Sequence, residues 1–237
     1  MVLYGTLING LCIIIGSLLG MLCLNIPDRY KETVVQGIGL VVILLGLQMA
    51  LTANSIIMVL LSLLSGALFG EWIQLEERLN MFGHWIERKF IKKKQGSIEF
   101  AHGFITSSLI FSIGAMAIVG ALDSGLKGDH ELLITKGIMD GFTSFVFATT
   151  MGIGVLFSFV PVVIYQGLIA LMAIQIVKFV PAGYLDELIV LLTGVGGLLI
   201  VAIGFNLLGM TKIRIGNLLP SLFTVIIIFY ISQSLPF

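Results

Sequence analysis

Asp140 stands in an otherwise apolar stretch and is followed by Gly141, Thr143, Ser144, Thr149 and Thr150. A carboxylate inside a hydrocarbon layer costs at least a few kcal/mol unless it is paired, hydrated or protonated, so an intramembrane acid marks a functional site by default. At helical spacing Thr143 and Ser144, three and four positions on, share the face of the carboxylate, while Gly141 lets a second backbone come close. The set suits an oxygen-rich cation site or a proton-binding acid, with Thr143, Ser144 and Thr149 completing the oxygen coordination. A plainer reading stands beside it. If the helix begins only near Ile138, Asp140 is a first-turn acid satisfied by free amide donors and the helix dipole.

Four neutral amides, Asn9, Gln48, Gln166 and Asn206, form a second constellation. Each carries both donors and acceptors, and together they would orient a polar solute. Taken singly, each is equally suited to hydrogen-bonding between packed helices, for about 0.5 to 2 kcal/mol. A third feature is the stretch from Phe111 to Gly125, dense in small residues, with Gly114 inside it and Asp123 near its end. Such density permits an unwound segment whose free backbone groups hold an ion or solute, and it also fits a helix that only packs tightly. No HExxH, GxSxG, Walker or GxGxxG pattern stands in a fitting context, and His84, His102 and His130 are scattered. The chain is therefore expected not to be an enzyme, with no catalytic residue, metal site or cofactor.

The elements that must position these groups follow from composition. Of 237 residues, 58% are hydrophobic and 11% charged, with a mean hydropathy of +1.11. That is far beyond an average soluble domain and predicts an all-α, polytopic membrane protein. Apolar runs of about 20 residues, enough to cross a core of roughly 30 Å, lie near 3–24, 34–52, 56–73, 104–122, 135–159, 162–179, 186–209 and 214–234. Eight spans are expected, the alternative being seven or a re-entrant segment, and Pro161 is taken as the break within 135–179. Formal net charge is zero and no basic patch is interleaved with aromatics, so nucleic acid is not an expected partner. Cys12 and Cys23 lie in the first span about 16 Å apart along the axis and cannot bridge. No Lys or Arg precedes Arg29, so residues 3–24 are read as a retained span, not a secretory leader. Small residues four apart, at Gly16 and Gly20 and at Ser62, Gly66 and Gly70, mark helix contacts within or between subunits.

The two ends of the chain loosely match. Asn9-Gly10-Leu11, then Ile26-Pro27, Tyr30, Gly39, Gly46 and Gln48 reappear as Gln166-Gly167-Leu168, Val180-Pro181, Tyr184, Gly197, Gly204 and Asn206. The spacing Gly-x6-Gly-x-(Gln/Asn) is identical, whereas Gly10 to Pro27 and Gly167 to Pro181 differ. With eight spans, Arg29, Lys31, Arg78, Arg88, Lys89, Lys92, Lys93, Lys94, Lys212 and Arg214 fall on one side, and Lys127, Lys136 and Lys178 on the other. The excess marks the first side as cytoplasmic and puts both termini outside. The matching ends are then inserted in opposite directions, the arrangement of an inverted repeat. One transmembrane domain is expected over 1–237, with repeat one at 1–73, a cytoplasmic segment at 74–99, central spans at 100–160 and repeat two at 161–237. In the cytoplasmic segment Leu75, Leu79, Phe82, Ile86 and Phe90 recur at helical spacing, with Trp72 and Trp85 suited to the interface. It reads as an amphipathic helix on the lipid surface, or alternatively as a partner-docking helix or a linker between halves.

Gly5-Thr6-Leu7-Ile8-Asn9-Gly10, the segment Ile113 to Asp129, Lys136-Gly137-Ile138-Met139-Asp140-Gly141 and Tyr165-Gln166-Gly167 resemble the bacterial membrane family of unknown function called DUF554. The resemblance covers essentially the whole chain. It implies a multi-spanning protein of the bacterial inner membrane, suspected of transport, and lends weight to Asn9, Asp123, Asp140 and Gln166. The expected function is an ion- or proton-coupled secondary transporter of a small polar or ionic solute. Asp140 is its coupling site, and the amides, Asp123 and Gly114 contact solute. A passive channel or a non-transporting scaffold is the alternative, and the lipid bilayer and a second copy of the chain are the expected partners.

Overall fold

The structure is a computed structural model that describes residues 2–22, 28–81, 97–180 and 182–234. Among them the secondary structure is helical throughout. The elements are α1 (Tyr4–Leu22), α2 (Asp28–Ala50), α3 (Ile56–Ile73), α4 (75–81), α5 (Ser97–Ser112), α6 (Ala115–Leu126) and α7 (Glu131–Met151). They are followed by α8 (Gly154–Phe157), α9 (Phe159–Leu171), α10 (Ala173–Phe179), α11 (Ala182–Leu207), α12 (Ile215–Leu218) and α13 (Ser221–Ser234). Among the described residues seven helical stretches are long and apolar enough to cross a membrane, and α5 with α6 makes an eighth if that pair, bent by 60°, is one span. Cys23, Phe82, His84, Trp85, Ile86, Phe90 and Lys92 to Lys94 lie outside the described residues, so the amphipathic segment is seen only as α4.

Two breaks have local causes. Between α5 and α6 the chain turns at Gly114, whose φ of 136° and ψ of 149° lie in a region essentially closed to residues with a Cβ. The interruption after α7 falls at Gly152, φ 68°, and not at Pro161 as its ring would suggest. Pro161 sits instead in the first turn of α9, where the missing N–H would have had no helical partner.

The described chain forms two compact units, Met1–Val35 with Asn80–Pro181, and Gln36–Leu79 with Ala182–Phe237. Each unit takes residues from both of the matching ends. In the first, α1 buries Gly5, Thr6, Asn9, Gly10, Ile13, Gly16, Ser17 and Gly20 and exposes Leu7, Leu11, Ile15, Leu18 and Leu22. Leucine facing outward costs nothing in hydrocarbon, so the inward face is free to be small and polar. Against it lies α7, at a separation no side chain could share. A Cβ on Gly137 would come 3.0 Å from the Asn9 Cα, and one on Gly141 3.0 Å from the Cys12 carbonyl oxygen; those on Gly16 and Gly20 would strike the Gly141 and Phe145 carbonyls. Phe111 and Phe147, stacked at 6.2 Å between ring centres, fill the space between α5 and α7.

The second unit uses the same device reciprocally. A Cβ on Gly39 would approach the Gly204 carbonyl oxygen to 3.3 Å and one on Gly204 the Gly39 oxygen to 2.9 Å; for Gly46 and Gly197 the two figures are 2.7 and 2.6 Å. Alongside, Gly66 and Gly70 of α3 seat the backbone of Ser221 and Asn217, and Thr224 Oγ1 donates to the Ser62 carbonyl at 2.8 Å. Val59, Leu188, Leu191, Val195, Val225 and Phe229 form its apolar core. At one end Glu71 accepts from Arg214 and from Asn217, each at 2.6 Å, while Glu76 accepts from the Gly216 amide at 2.6 Å.

Overpacking of a close contact typically costs about 1–3 kcal/mol, and at Gly16 the nearest obstructing atom is the Gly141 carbonyl oxygen, backbone that cannot swing aside. Gly16→Ala should lower the thermal midpoint in detergent, whereas Gly37→Ala, with nothing within 4 Å, should leave it unchanged or raise it by the helix propensity gain, up to about 1 kcal/mol. Equal losses for the two variants would refute the backbone-contact account.

Candidate functional site

Asp140 lies near the middle of the 21-residue helix α7, which starts at Glu131 and not near Ile138. The first-turn reading is thereby excluded: the free amide donors of the helix start are two turns away. Its partner is Lys136, whose ammonium donates to Asp140 Oδ2 at 2.5 Å, and both residues are only 7% exposed. Charge counting along the sequence assigns Lys136 to the outer side; the structure puts it inside the span, paired at a spacing of four. That spacing was visible in the sequence and is the signal that was missed.

A second helix closes over the pair. Gly137, lacking a Cβ, lets Asn9 of α1 lie against α7, beside the Asp140 carboxylate. Asn9 Nδ2 also donates to Gln166 Oε1 on α9 at 3.2 Å, both residues being fully buried. The α1–α9 contact rests on Gly10, where a Cβ would sit 2.6 Å from a Val163 methyl. Lys136, Asp140, Asn9 and Gln166 thus make one polar cluster across three helices. Two of its atoms, Asn9 Oδ1 and Gln166 Nε2, are buried with no protein partner. One is an acceptor and the other a donor, and each unmet costs about 1–3 kcal/mol.

The other expected residues are engaged elsewhere. Thr143 Oγ1 donates to the Met139 carbonyl at 2.8 Å and Thr149 Oγ1 to that of Val146 at 2.7 Å. Ser144 Oγ faces the Gly141 carbonyl at 2.8 Å and that of Ile13 on α1 at 3.1 Å. Their hydroxyl protons serve backbone, as is usual for such residues within spans. Gln48 is exposed in the last turn of α2. Asn206 organises the loop after α11, its Oδ1 accepting from the Ile213 amide at 2.9 Å and from Thr211 Oγ1 at 2.8 Å, its Nδ2 donating to the Ile213 carbonyl at 2.8 Å. Asp123 pairs with exposed Lys127 at 2.6 Å at the end of α6, and this hydrogen bond, then the charge attraction, holds the Lys127 ammonium above its ordinary range. Gly114 caps the start of α6 six residues before Gly120, and Gly120 packs on Leu133 of α7, seven residues before Asp140.

A family model described as "Protein of unknown function (DUF554)" matches residues 4–230. An "Uncharacterized membrane protein YdfK" of Bacillus subtilis (strain 168) is 34% identical over 226 residues, 93% of each chain. An "Uncharacterized protein YqgA" of Escherichia coli (strain K12) is 28% identical over 221 residues, 92% of each chain. No solved structure matches the chain.

Breaking a buried ion pair by removing one member typically costs about 3–5 kcal/mol, because the other charge is left uncompensated. Lys136→Met should therefore destabilise the protein strongly, and adding Asp140→Asn should restore most of the loss. A thermal-unfolding double-mutant cycle measures the coupling, and simple additivity would show that the pair is not coupled.

Proposed function

The chain belongs to the DUF554 family of multi-spanning membrane proteins, and we propose that it is an ion- or proton-coupled secondary transporter of a small polar or ionic solute across the bacterial inner membrane. The observation that carries this reading is the buried Lys136–Asp140 pair at mid-span, with the hydrogen-bonded Asn9 and Gln166 beside it. A lone stabilising contact would not call for charges here, since well-packed apolar residues of similar volume commonly serve as well or better than a buried ion pair. An intramembrane acid with a switchable partner is instead the usual element of a coupled carrier. Solute that parts Lys136 from Asp140 opens the carboxylate to a proton or cation, so that ion uptake at Asp140 follows solute entry. Loss of the bound ion restores the pair. The cycle therefore alternates between a closed, self-neutralised cluster and an open one.

The inverted repeat is part of the proposal. Asn9 and Gln166 occupy matching positions and are hydrogen-bonded to one another. A two-fold relation taking Gly39 to Gly197 and Gly46 to Gly204 also converts the contact of Gly39 with Gly204 into that of Gly197 with Gly46. Such self-consistent contacts favour two halves inserted in opposite directions, the frame that exposes one site to alternate sides. Removing Lys136 from the outer charges sharpens the asymmetry and favours both termini outside. A homodimer in the lipid bilayer and the absence of catalytic chemistry complete the reading.

Proteoliposomes loaded with a pH-sensitive dye test the coupling. Adding glycine, acetate, glycerol or urea in turn should give interior acidification with at least one solute. A parallel run under an imposed sodium gradient should reveal sodium coupling instead. Asp140→Asn should abolish the coupled ion movement. Solute entry equal in wild type and variant, without proton or sodium movement, would mean a passive pore; no flux at all with any solute would leave a scaffold. For the orientation, a C-terminal alkaline phosphatase fusion should be active, and an inactive fusion would reverse the topology.

A further inference from the structure

Resting on the carrier reading above, we propose that the solute is a small zwitterion of the amino-acid type, bound by Asn9, Gln166, Lys136 and Asp140. The four side chains present two acceptors, the Asp140 carboxylate and the unpartnered Asn9 Oδ1, and two donors, the Lys136 ammonium and the unpartnered Gln166 Nε2. An ammonium complements the first two and a carboxylate the second two. Both amide residues are fully buried and both charged ones nearly so, which makes charge balance decisive. The Lys136–Asp140 pair is neutral as a unit, and a zwitterion that inserts between its members exchanges one internal ion pair for two and leaves the cluster neutral. A simple anion would leave Asp140 unpaired and a simple cation would leave Lys136 unpaired, each an uncompensated charge in a medium that penalises it by several kcal/mol. A neutral polyol or amide could satisfy Asn9 and Gln166 but would draw nothing from the ion pair.

The experiment is isothermal titration of the purified full chain in detergent, without any gradient, using glycine, L-alanine and L-glutamine. Acetate, methylammonium and acetamide serve as the separated parts. At least one zwitterion should bind at least about tenfold more tightly than every separated part, the size of effect that one charge-assisted hydrogen bond supplies. Lys136→Gln with Asp140→Asn, which keeps the net charge and removes both ends of the pair, should weaken binding by at least about tenfold. Gln166→Met should weaken the zwitterion and leave the protein folded, as judged by its thermal midpoint. Acetate or acetamide binding as tightly as the zwitterions, undiminished binding in the double variant, or no zwitterion binding at all would overturn the inference. Coupled flux of acetate or glycerol alone would overturn it while sparing the carrier. Zwitterion binding without coupled flux would do the reverse.

Discussion

Inside lipid there is no hydrophobic drive between helices, because the acyl chains are as apolar as leucine, so helices associate through close packing and hydrogen bonds. For α1 and α7 that closeness is reached backbone to backbone, through Gly16 and Gly20 on one helix and Gly137 and Gly141 on the other. The remainder of the first unit follows from this approach. It brings Asn9 onto α7 beside Asp140, and it lets Ser144 reach across to the Ile13 carbonyl. It also excludes lipid from Lys136. Without it the polar groups would face hydrocarbon singly; with it they face each other.

The second unit shows the same physics without the chemistry. Gly39, Gly46, Gly197 and Gly204 bring α2 and α11 together as tightly, yet the groups buried nearby are apolar, from Val59 to Phe229. At its end Glu71, Glu76, Arg214 and Asn217 tie α3 and α4 to α12. An apolar core in one unit and a buried polar cluster in the other are two uses of one packing rule.

Much of this was legible in the residues. Runs of about 20 apolar positions mark spans because of the bilayer's thickness, and Asp140, Asn9 and Gln166 stood out as polar groups within such runs. Gly114 stood out in its small-residue stretch, and its backbone conformation is one only glycine adopts easily. Lys136 was harder to read. A lysine five positions into a helix is ordinarily able to reach the membrane surface, and only its spacing to Asp140 argued otherwise. Pro161 drew the break to itself, although proline is tolerated in a first turn, while Gly152 was one of 28 glycines and carried no mark of its own. The four amides divided for a local reason. Gln48 and Asn206 fall in the last turns of α2 and α11, and Gly209, φ 69°, just beyond α11, is the ordinary sign of a helix ending there.

The order of the pair along α7 has an electrical consequence. On an isolated helix the favourable order places the acid before the base, so that the two charges oppose the helix dipole. Here the base precedes the acid, and the pair's own dipole points the same way as that of the helix. The order gives up a little helix stability, and in return the fields of pair and helix add along the helix axis. A rearrangement that parts Lys136 from Asp140 along that axis displaces charge lengthwise in a helix long and apolar enough to cross a membrane, where one elementary charge crossing 100 mV is worth about 2.3 kcal/mol. Voltage would bear on this contact as directly as any ligand.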